Sequence, residues 1–289
     1  MLLEGRNSYG QNRVISLNGK FETGLINLAP ILVSLAFGVF CAFLILTSQI
    51  EMYGITPFPE SVAGSFGNAF YFVILVGVGA SLLYLLLKWK SRKLIAWITG
   101  FALTTAVFML STIYIYAAFS RFAIPSMEVL TLILASLITA LADYAIFRKH
   151  NKICDLVVLF LGGALGTFLG FSIPTLSAIL ILGFLAVYDI FAVYHGPVGK
   201  IARSGLDQLR GLSFSFRNIQ MGLGDLTFYS MLSAIMFINF GFISCVASII
   251  GILLGCLLAF KMLEKKGMFP GLPFPILFGL TAAFLASFL

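Results

Sequence analysis

"GLGDLTFYSMLSAIMFINFGFISCVASIIGILLGCLLAFK", Gly222 to Lys261, decides the fold. After Asp225 the chain carries no charge until Lys261, well beyond the about 20 residues a helix needs to cross the hydrocarbon of a bilayer. The run is interrupted only by Asn239-Phe240-Gly241, which has turn chemistry. The stretch therefore reads as two membrane helices joined by a hairpin, with a carboxylate at the entrance to the first.

The whole chain has the same character. Of its 289 residues 60% are hydrophobic and 10% charged, whereas a water-soluble globule carries about 25% charge. Charge-free runs such as Thr23–Ile50, Ser61–Leu87 and Leu94–Ser120 are long enough for membrane helices, and they exclude the short alternating segments of a β-barrel. The fold class is an all-α membrane protein, a single polytopic domain over residues 1–289. Spans are expected at 27–49, 66–87, 94–118, 125–147, 153–171, 174–194, 221–239, 241–262 and 272–289, with a tail over 1–26 and a loop over 195–220. The first apolar block is too long for a signal-peptide core and is read as a retained span.

The +7 charge does not point to nucleic acid, because no soluble domain is present to carry a basic patch. Its distribution gives the topology instead. With nine spans, 17 of the 18 Lys and Arg fall on one side, in the tail (Arg6, Arg13, Lys20) and in the even-to-odd loops from Lys88 to Lys266; Arg121 alone lies opposite. Basic loops stay cytoplasmic, so the N-terminus is expected inside and the C-terminus outside. The segment Gly199–Gly211 reads as an interfacial helix.

Four aspartates fall within the predicted spans, where a carboxylate is costly and marks function by default. Asp155 occupies a first turn beside Lys152 and Asp143 precedes Arg148 and Lys149, so both have structural readings. Asp189 and Asp225 differ: each lies about five residues, roughly 8 Å, inside the cytoplasmic boundary of consecutive spans. Two carboxylates facing each other at one depth can share a proton and activate water. Gly222 and Gly224 strip side chains from the approach to Asp225, and the prolines of Phe269–Pro275 start the last span at the same level. Small residues at Gly162, Gly166, Gly170, Gly251 and Gly255 read as helix-packing positions. Cys41, Cys154, Cys245 and Cys256 read as packing residues, and His150 and His195 as loop residues, with no metal-ligand motif or cofactor site.

The stretches "VYDIFAVYHGP" around Asp189, "MGLGDLTFYS" around Asp225 and "PGLP" at Pro270–Pro273 resemble the three signatures of the presenilin family of intramembrane aspartyl proteases. The resemblance covers the second half of the chain. It implies that Asp189 and Asp225 are the catalytic pair and that Tyr188, Gly222, Leu223, Gly224, Pro270, Gly271, Leu272 and Pro273 support the site. Gly271 stands where the family pattern has alanine. The resemblance further implies transmembrane peptides or proteins as substrates, the lipid bilayer as surroundings and, as in archaeal members placed in the cell membrane, no accessory subunits; a homo-oligomer stays open. The loop 195–220 is shorter than the segment in which animal members cut themselves. The rival reading from another class is a transporter or channel that binds protons or cations with the same aspartates.

Overall fold

The computed structural model describes residues 2–4, 24–48, 50, 54–89, 92–122, 126–148, 152–196, 211–216 and 219–288. The helices are α1 (Ala29–Leu46, after a 3-10 turn over Leu25–Leu28), α2 (Val62–Lys88), α3 (Arg92–Phe119), α4 (Met127–Phe147), α5 (Lys152–Ser172) and α6 (Thr175–Tyr194). They continue with α7 (Leu223–Lys266) and α8 (Pro273–Ala286). Seven of these are long and apolar enough to cross a membrane; Pro273–Ala286 is apolar but shorter. A break falls inside α7 at the Asn239–Gly241 turn signal. At Gly241 the backbone takes φ 87° and ψ −179°, which breaks the helix into an arm α7a (223–240) and an arm α7b (242–266). That conformation is open essentially to glycine alone. The break between the fifth and sixth spans is also present: α5 ends at Ser172 and Pro174 stands at the N-cap of α6.

The first arm of α7 is the centre of the molecule. Leu226, Met231, Leu232, Ile235 and Met236 are fully buried along it. Helix α5 packs on it through the glycines expected to serve packing: a methyl group on Gly162 would strike Leu226, and one on Gly166 would strike the backbone at Thr227 and Met231. Behind α5 lies α1, tied by hydrogen bonds from Ser34 to the Leu159 carbonyl (2.8 Å) and from Thr167 to the Gly38 carbonyl (2.8 Å). Gly251 and Gly255 let α7b lie directly against the backbone of α8 at Phe274, Pro275 and Phe278. Small residues thus replace the hydrophobic effect as the means of bringing apolar helices together. Helix α2 is peripheral and meets α6, where Asn68 donates to Ser177 (3.0 Å) and holds Phe58 through both its backbone groups.

The all-α fold class holds, with one addition at one end of the helices. Four short strands form a sheet of order β2-β3-β1-β4: β1 (Leu2–Glu4), β2 (Ser213–Phe216), β3 (Ile219–Gly222) and β4 (Met268–Phe269). The tail and the 195–220 loop are therefore not wholly irregular, and α7 starts at Leu223 rather than 221, because 219–222 is extended. Asp155, in the first turn of α5, accepts from the Ser215 N–H (3.2 Å) and so anchors β2 to a helix end. Asp143 accepts from Thr104 of α3 (2.9 Å); Lys149, one of the two cations expected beside it, lies outside the described residues. Three cysteines are buried among apolar neighbours and Cys154 is partly so. Of the segment expected to form an interfacial helix, Gly199–Gly211, residues 199–210 lie outside the described residues, as does His150.

Candidate active site

Asp225 is placed by a change of local structure. Strand β3 ends at Gly222 and α7 begins at the next residue, so the carboxylate sits in the first turn of the helix. There the unpaired N–H groups of a helix start favour negative charge. Asp189 arrives from the opposite direction, five residues before the end of α6 at Tyr194. Its helix end is held over the sheet by Lys266, whose ammonium lies 5.7 Å from the Tyr194 ring and 5.9 Å from that of Phe269. Both aspartates are buried, at 8% and 5% exposure.

A third element joins them. The segment Pro270–Leu272 connects β4 to α8, with Pro273 at the first position of that helix, where its missing N–H costs nothing. The Leu272 N–H donates to Asp189 Oδ2 at 3.0 Å. One residue earlier, a methyl group built on Gly271 would meet Asp225 Oδ2 at 2.6 Å. Two carboxylates from α6 and α7 therefore converge on two consecutive residues of one loop, near enough to interact electrostatically. A side chain at 271 would push the Asp225 carboxylate aside, whereas glycine lets the loop close on it.

The other expected residues are distributed around this core. Leu223 is buried, and its N–H donates to the Leu212 carbonyl (2.8 Å), which fixes the start of α7. Pro270 is buried beside Gly271. Tyr188 faces α2 at Gly77. Gly222 and Gly224 flank the junction of β3 and α7, beside Asp225. Among the described residues, a methyl group on either would find no neighbour nearer than 3.9 Å, and neither has a left-handed φ. Among the described residues they leave open space at the start of α7.

Sequence reasoning missed Tyr229. Its ring is 1% exposed, and its hydroxyl donates to the Gly271 carbonyl at 2.6 Å, so α7a braces the loop that both aspartates touch. The available signal was spacing: Tyr229 follows Asp225 by one helical turn and shares its face. The four strands were missed as well; the alternation in Ser213-Phe214-Ser215-Phe216 was a local trace of β2.

No family model matches the chain, and no curated protein matches it. Solved structures do. A presenilin family intramembrane aspartate protease in the C222 space group aligns with a TM-score of 0.65 and 19% identity, over 90% of this chain and 98% of its own. A presenilin family intramembrane aspartate protease in the P2 space group aligns with the same score and identity, over 94% and 98%. The chain thus has the fold of presenilin family intramembrane aspartate proteases across nearly its whole length.

Proposed function

We propose that this protein is an intramembrane aspartyl protease that hydrolyses peptide bonds of transmembrane substrates with a water activated by Asp189 and Asp225. The observation that carries this reading is the meeting of two buried carboxylates at Gly271–Leu272. In this mechanism one carboxylate is ionised and takes a proton as water attacks the peptide carbon, while its protonated partner hydrogen-bonds the carbonyl oxygen. The gem-diol then collapses as the C–N bond breaks and the departing nitrogen takes up a proton. The open space at Gly222 and Gly224 admits the substrate backbone, and an unwound substrate pairs as a strand beside β3 and β4. Tyr188, Leu223 and Pro270–Pro273 support that arrangement.

The topology belongs to the same proposal. Counting the two arms of α7 separately and α8 as the last, the chain crosses nine times with its N-terminus cytoplasmic, which keeps the basic loops inside. The sheet and the aspartates then lie near the cytoplasmic face, from which water enters.

Purified protein reconstituted in liposomes tests the reading. Cleavage of a transmembrane peptide is expected from the native chain and from neither Asp189→Asn nor Asp225→Asn. Proton or cation flux that depends on both aspartates, without cleavage, would replace the protease with the transporter.

A further inference from the structure

The sheet beside the aspartates contains a strand whose position is unexpected for a polar tail. Strand β1, Leu2–Glu4, lies between β3 and β4 and is antiparallel to both. Its two neighbours are the segments that build the site: β3 leads into Leu223 and Asp225, and β4 leads into Pro270 and the Leu272 N–H that bonds Asp189. In the sheet order, β3 and β4 touch only through β1. Neighbouring strands are about 4.8 Å apart, so the slot between them is two strand spacings wide and accepts one extended chain.

The polarity is equally specific. Leu2 pairs with Met221 and with Phe269, the partners nearest the aspartates, whereas Glu4 pairs with Ile219, farther away. The N-terminal end of β1 thus points toward the site. A substrate seated with the same polarity has its scissile bond on the N-terminal side of the paired stretch.

Resting on the protease reading above, we propose that the N-terminal segment Leu2–Glu4 is an internal occupant of the substrate slot, displaced when an extended substrate pairs with β3 and β4. A three-residue strand makes few ladder hydrogen bonds, so a longer segment can replace it. Its presence reduces the fraction of molecules competent to bind and raises the apparent dissociation constant by the same factor.

Two variants of the full chain test this. Leu3→Pro removes a ladder N–H and disfavours β1 between two partners; it is expected to lower KM for a transmembrane peptide several-fold with kcat unchanged. Leu3→Cys with Gln220→Cys joins residues that face each other across β1 and β3. Oxidation of this pair is expected to abolish cleavage, and reduction to restore it. An unchanged KM in Leu3→Pro, or full activity in the oxidised pair, overturns the competition while leaving the protease intact. Absence of cleavage by the native chain as well would overturn the protease reading, and the competition with it.

Discussion

Replacing Tyr229 by Phe isolates the brace under the site. The ring is 1% exposed and its packing survives the change, so the perturbation is confined to one oxygen. That oxygen donates to the Gly271 carbonyl at 2.6 Å. Without it the carbonyl is buried and has lost this donor, a loss that costs about 1–3 kcal/mol. At about 1.36 kcal/mol per factor of ten, this corresponds to about a 5- to 150-fold change in whichever equilibrium bears the loss. Two destinations are distinguishable. If the brace merely stabilises the fold, the midpoint of thermal unfolding in detergent falls and kcat is retained. If it holds Gly271 and Leu272 against the two carboxylates, kcat falls within that range while KM changes little, because the slot itself is untouched. The second outcome is expected. A native kcat, measured on a transmembrane peptide with Asp225→Asn as the blank, would refute the role of Tyr229 in the site, whatever the midpoint does.

Two further substitutions probe how the helices are held. Gly166→Ala would set a methyl group 2.7 Å from the Met231 nitrogen and against the Thr227 carbonyl; because these neighbours are backbone, a loss of about 3 kcal/mol, the upper end for overpacking, is expected in unfolding experiments. Gly241→Ala meets no atom of the described residues within 4 Å, so its expected cost of about 1–3 kcal/mol is conformational. Gly183→Ala, equally unobstructed but within α6, serves as the control and is expected to leave the midpoint unchanged or raise it.

The amino-acid sequence by itself determined the helical membrane architecture, the helix breaks at Pro174 and Gly241, and the two aspartates that converge on Gly271 and Leu272. These are legible because burial in a bilayer acts on each segment separately: an uninterrupted apolar run, a proline or a glycine has its effect wherever it falls. Only the tertiary structure decided what the aspartates touch. The Leu272 N–H, the Gly271 backbone and the Tyr229 hydroxyl come from positions distant in the chain, and no local pattern encodes their meeting. Gly222 and Gly224 were legible as glycines, but whether they accommodate a neighbour or leave a space depends on what packs there. The sheet shows the limit most clearly: three residues near the N-terminus become a strand only because β3 and β4, almost fifty residues apart, present backbone groups on both sides. Pairing of that kind is a property of the assembled chain, since neither edge exists until the helices that carry them have packed.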